Sequence, residues 1–228
     1  MDAESLGISV SLVGLTLLLV ILTVRAIVRF FETRSRPQLM WGAGLGLAAA
    51  AMAVESIVFF GVLSSPILQT YVFLSAAIVG ILSLGATRVL RSPRLENLYT
   101  GYTLAACGVV AAACAFTPLP TSMVTSGIIT GNPPLMLIVL SSLVTVPATI
   151  VLLTATFLSL RRSHRWQTLL MAAGALILGA GGTLYIASFP IALYYAEFLG
   201  ILLLFLGLVS LQSSTTAPAA TSAPHATS

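Results

Sequence analysis

Apolar runs long enough to cross a bilayer recur from one end of this chain almost to the other, as in LVGLTLLLVILTV at 12–24 and ILLLFLGLV at 201–209. A run of about 20 apolar residues matches roughly 30 Å of hydrocarbon when helical. These runs are apolar on every face, whereas a membrane barrel needs strands of about ten residues that alternate apolar and polar. The fold class read from the sequence is therefore all-α, a polytopic membrane protein. Seven spans are expected, at about 6–31, 38–61, 66–89, 96–117, 134–160, 166–188 and 190–211. They make one transmembrane domain over 1–211.

Composition agrees. Charged residues are 7% and hydrophobic residues 58% of the 228, with a mean hydropathy of +1.07, where a soluble domain carries roughly 25% charge. The ten basic residues are all arginine. They lie around the first, third and fifth loops: Arg25, Arg29, Arg34 and Arg36; Arg88, Arg91 and Arg94; Arg161, Arg162 and Arg165. Basic residues near span ends stay on the cytoplasmic side. The expected orientation has the N-terminus outside and the C-terminus inside. The MDAES start lacks the basic region of a cleaved signal, so the first helix is expected to remain in the mature protein. The tail at 212–228, rich in Ser, Thr, Ala and Pro, reads as disordered and cytoplasmic.

The basic balance, with pI near 9.5, reads as membrane topology and attraction to anionic headgroups. No basic patch with stacking aromatics supports a nucleic-acid role. The expected partners are the lipid bilayer and either further copies of the chain or other membrane subunits. Cys107 and Cys114 are seven residues apart, about 10 Å along a helix and too far for a disulfide with each other. They read as small packing residues. No zinc cluster, haem pair, Ser-His-Asp set or phosphate loop is present. The expectation is no enzyme activity, no metal and no cofactor.

RSRPQLMW and RRSHRW each lead into an apolar hairpin turning at a proline, with Trp41 to Pro66 spanning 25 residues and Trp166 to Pro190 spanning 24. Tyrosine follows five residues after each proline, at Tyr71 and Tyr195. The pattern suggests a parallel repeat of helix triplets, 3+1+3. Bilayer thickness and the interfacial preferences of Trp and Pro produce similar spacings without duplication. Pairs of small residues four apart, Gly42 and Gly46, Ala76 and Gly80, Ala175 and Gly179, predict close helix approach. Pro147 within VTVPATIV predicts a released carbonyl near residue 143, with Thr145 and Thr149 as local partners.

Four of the six acids have ordinary places: Asp2 and Glu4 at the terminus, Glu32 among arginines, and Glu96 at a helix start. Glu55 and Glu197 lie inside apolar spans at a similar expected depth, roughly 9–10 Å below the outer surface. An acid at a span centre costs about 2.5–3.5 kcal/mol, so such residues face the bundle interior and often mark pathways. At least one is expected to hold its proton at neutral pH. Gln69, Tyr71, Thr183, Tyr185, Ser188, Tyr194 and Tyr195 fall in the same outer layer, and the inner halves read as nearly pure Ala, Leu, Val and Gly. The substrate- or proton-binding set read from this pattern is Glu55, Glu197, Tyr71, Tyr185, Tyr195 and Gln69, lining an outward vestibule. The alternative is an aromatic belt with hydrogen-bonded interior glutamates.

AEFLGILLL resembles the seventh helix of microbial rhodopsins, but the chain contains no lysine, which excludes a retinal Schiff base. Pro37-Gln38 is similar to the PQ signature of SWEET sugar transporters, displaced to a position before the second span. The sequence points to transport or permeation of protons, ions or a small solute through intramembrane carboxylates. A non-catalytic subunit, sensor or scaffold of a membrane complex is the other reading.

Overall fold

The computed structural model describes residues 3–34, 36–87, 92–125, 127–129 and 133–163, and beyond these 169–170, 173–174, 176–177, 196, 199–200, 202–203 and 206–207. Five long helices run α1 (Ala3–Thr33), α2 (Arg36–Phe59), α3 (Ser65–Ala86), α4 (Pro93–Phe116) and α5 (Leu135–Ser163). All five are long and apolar enough to cross a membrane. They coincide with the first five expected spans to within a few residues. The sixth and seventh spans are described only in short pieces, and the tail, Ala175, Gly179, Trp166, Pro190 and Tyr195 lie outside the described residues.

Local chemistry sets the ends. Ser64 and Ser92 stand in extended backbone before α3 and α4, with Pro66 and Pro93 in the first turn, where a missing N–H costs nothing. Gly61, at φ +91°, turns the chain between α2 and α3, a conformation that favours glycine. Pro147 stays inside α5. The all-α expectation has one small departure. Between α4 and α5, a 3₁₀ turn at Thr121–Met123 precedes an antiparallel ladder of β1 (Val124–Thr125) and β2 (Ile128–Ile129). Gly127, at φ +78°, closes it.

α3 is the central helix, packed by α2 on one side and by α4 and α5 on the other. α1 packs chiefly on α2, where Leu12, Leu15, Leu19 and Leu22 meet Leu45, Ala48, Ala49 and Met52. The expected Gly42 and Gly46 step is used here. A Cβ on Gly42 would lie 3.4 Å from Ala26, and one on Gly46 3.4 Å from Thr23. The other face of α2 is notched into α3 more tightly. A Cβ on Gly44 would sit 2.5 Å from Leu82, and one on Gly85 2.5 Å from the Trp41 ring. Gly80 performs the same service where three helices meet, since its Cβ would lie 2.8 Å from Val144 and 3.2 Å from Thr103. Without a strong hydrophobic drive between helices in lipid, close approach of this kind is what holds them together.

Candidate functional site

The register of α2 against α3 follows from these notches. Gly44 abuts Leu82 and Trp41 abuts Gly85, so antiparallel partners have numbers that sum to 126. Eleven residues make about three helical turns, returning to nearly the same face some 16 Å along. Counting eleven forward from Gly44 and eleven back from Leu82 brings Glu55 across from Tyr71 on the α2–α3 seam. Both are buried, at 2% and 7% exposure. Val58 and Leu68, also summing to 126, lie one turn beyond them and are sealed at 0% and 1%.

Glu55 is thus an interior residue, as expected from the cost of presenting a carboxyl to lipid. Four residues separate it from the end of α2 at Phe59 and six separate Tyr71 from the start of α3 at Ser65, placing them about 6 and 9 Å from that end of the helices. Tyr71 belongs to an apolar cluster with Val58, Leu68, Val72 and Leu137. The same cluster includes Leu119, Met123 and Ile129, each 3% exposed, from the segment between α4 and α5. The segment turns inward and covers this end of the seam. Gln69, expected among the binding residues, is engaged in holding that cover: its Nε2 donates to the Thr117 carbonyl at 2.8 Å. Ser65 Oγ accepts from the Leu119 amide at 2.8 Å. Glu197, Tyr185 and Tyr195 lie outside the described residues, as do Thr183, Ser188 and Tyr194.

The opposite half of the bundle is more polar than its sequence implies. Ser83 Oγ donates to the Gly80 carbonyl at 2.6 Å and shares a hydrogen bond of 2.7 Å with the Tyr99 hydroxyl. Thr87 Oγ1 donates to Leu84. Thr103, one turn from Tyr99, is 2% exposed, and its buried Oγ1 makes no well-formed hydrogen bond with any of the described residues, the Tyr99 hydroxyl being its polar neighbour along α4. Hydroxyls at 83 and 87 on α3 and at 99 and 103 on α4 are each four apart on antiparallel neighbours. That matched spacing was the available signal.

A second arrangement answers the proline. Pro147 has no N–H, so Leu143, four residues earlier, loses its intrahelical donor. The Tyr102 hydroxyl of α4 donates to the Leu143 carbonyl at 2.6 Å. The released carbonyl was legible in the sequence, but its partner comes from another helix. Thr149 Oγ1 instead donates to Thr145.

No protein family, curated protein or solved structure matches this chain. What the fold defines is a class: a helical protein with, among the described residues, five helices long and apolar enough to span a membrane. Within it, the distinguishing feature is a buried carboxyl at a helix seam under a folded cover.

Proposed function

We propose that this chain is a multi-pass cell-membrane protein that moves protons, ions or a small solute, with Glu55 as its exchangeable carboxyl and Tyr71 beside it. The observation that carries this reading is the 2% exposure of Glu55 within an apolar span. An acid in such a place is costly to insert, and acids kept there commonly mark ion or proton pathways. In the full arrangement seven helices cross the membrane with the N-terminus outside, the arginine-bearing loops face the cytoplasm, and a parallel 3+1+3 repeat brings Glu197, Tyr185 and Tyr195 to the depth of Glu55.

The test is proton flux into proteoliposomes. Glu55→Gln and Glu197→Gln preserve shape and remove titration, so flux and its pH dependence collapse while the protein still elutes as a folded species. Unchanged flux in both variants removes the support for transport. Orientation is tested separately with Ser122→Cys in the exposed part of the α4–α5 segment. It reacts with an impermeant thiol reagent in intact cells, and reaction only after lysis reverses the topology.

One observation favours the second reading, a subunit or scaffold of a membrane complex. α4 exposes a stripe of small residues, Gly101, Ala105, Gly108 and Ala112, and Cβ atoms on Gly101 and Gly108 would meet nothing within 4 Å. Such stripes suit helix association. Purification in mild detergent separates the readings, with co-purifying subunits favouring the complex and a solitary active protein favouring transport.

A further inference from the structure

We propose that the described residues between Thr117 and Ile129, 117–125 and 127–129, form the gate of the Glu55 site, latched shut by Gln69 and Ser65. The proposal rests on the transport reading, because a carboxyl that exchanges with water must be uncovered at some stage. At this end of the α2–α3 seam the cover includes Leu119, Met123 and Ile129, which are packed into the same cluster as Val58, Leu68 and Tyr71, with Val124 against it. On the α2 side it lies against the helix terminus, where a Cβ on Gly127 would come within 3.2 Å of the Phe59 carbonyl oxygen.

The way the cover is held distinguishes it from the helices around it. Its internal structure is one 3₁₀ turn and a ladder of two residue pairs. Two hydrogen bonds tie its first part to α3, Gln69 Nε2 to Thr117 O and Leu119 N to Ser65 Oγ. Lifting it breaks these bonds and withdraws the buried Leu119, Met123 and Ile129 together with the partly buried Val124. Parting α2 from α3 instead means disengaging the Gly44–Leu82 and Gly85–Trp41 notches, which pin the seam beginning about 16 Å from Glu55. Regions with few backbone ladders and few buried contacts open locally at lower free energy than the elements they cover. The latch residues are polar and close to the aqueous end, where water can take over their hydrogen bonds once the segment lifts. Gln69 is therefore part of the functional apparatus, acting on access to the carboxyl and not on the transported species.

The experiment uses full-length protein with Cys107→Ala and Cys114→Ala, so that a single reporter thiol, Val58→Cys, lies one turn from Glu55 beneath the cover. A charged, membrane-impermeant methanethiosulfonate is applied from the side of the α4–α5 segment. With the latch intact, modification is slow. Combining Gln69→Leu with Ser65→Ala speeds it at least tenfold. Equal rates with and without the latch overturn the gate. Hydrogen–deuterium exchange on the unmodified protein gives a second, mutation-free measure: amides of 117–129 exchange at least tenfold faster than those in the middle of α3 and α4. Exchange of the segment only as slowly as those helix centres also overturns it. Neither measurement depends on flux, so failure here is distinct from failure of the Glu55→Gln transport test.

Discussion

Replacing Tyr102 with phenylalanine isolates one bond whose worth depends on a proline on another helix. The Tyr102 hydroxyl donates to Leu143 O at 2.6 Å, on a surface where Tyr102 and Leu143 are 42% and 48% exposed and the bilayer offers little water. Phenylalanine keeps the ring and its packing beside Tyr99, and removes only the donor. Interhelical hydrogen bonds in membrane proteins average about 0.6 kcal/mol and reach about 1.7. Leu143 O lies near the upper part of that range, because Pro147 has already taken away its helical donor. Tyr102→Phe is therefore expected to cost about 1–1.5 kcal/mol. Pro147→Ala restores an N–H four residues after Leu143, so in that background Tyr102→Phe costs less than about 0.5 kcal/mol and the coupling is about 0.5–1.5 kcal/mol. Reversible unfolding of the four proteins in mixed micelles, titrated with a denaturing detergent, reads these differences directly. An equal cost of Tyr102→Phe beside Pro147 and beside alanine would refute the reasoning.

Three further outcomes follow from the packing. Gly80→Ala places a methyl 2.8 Å from Val144 and lowers stability by about 1–3 kcal/mol, whereas Gly14→Ala, with nothing within 4 Å, is neutral or slightly stabilising in the same titration. Thr103→Val keeps the shape and removes the buried Oγ1, which has no hydrogen-bond partner among the described residues, so it stabilises by about 1 kcal/mol; destabilisation shows that the hydroxyl is satisfied, by bound water or by Tyr99. Gly85→Ala displaces the Trp41 ring, its would-be Cβ lying 2.5 Å from Cδ1, and a near-ultraviolet circular dichroism spectrum identical to that of the unsubstituted protein would contradict the notch.

The first five spans were legible because their signal is local: length and apolarity suffice, and α1 to α5 begin and end close to where charges, prolines and loop residues put them. Glu55 was legible for a related reason, since lipid gives a carboxyl few places to be. The pairing of α2 with α3 was not, because it is set by Gly44, Leu82, Gly85 and Trp41, residue types frequent in any span. Gln69 shows the limit most clearly. Its depth and polarity put it among binding residues, while its actual partner, Thr117, is 48 positions away. The inward turn of Leu119, Met123 and Ile129 had no periodicity to announce it, being spread among Pro, Ser, Thr and Gly. Nothing local in the sequence marks Tyr99 and Tyr102, because their partners, Ser83 and Leu143, lie on two other helices.

α2 has protein along two sides, with Gly42 and Gly46 recessed against α1 and Gly44 seated against Leu82. A helix held in this way has no room to roll or to slide by part of a turn, since each glycine would collide with the next side chain along. In mechanical terms α2 and α3 are the stator of the molecule. The carboxyl of Glu55 is mounted on that fixed part, so any change in what it meets must come from pieces that move around it.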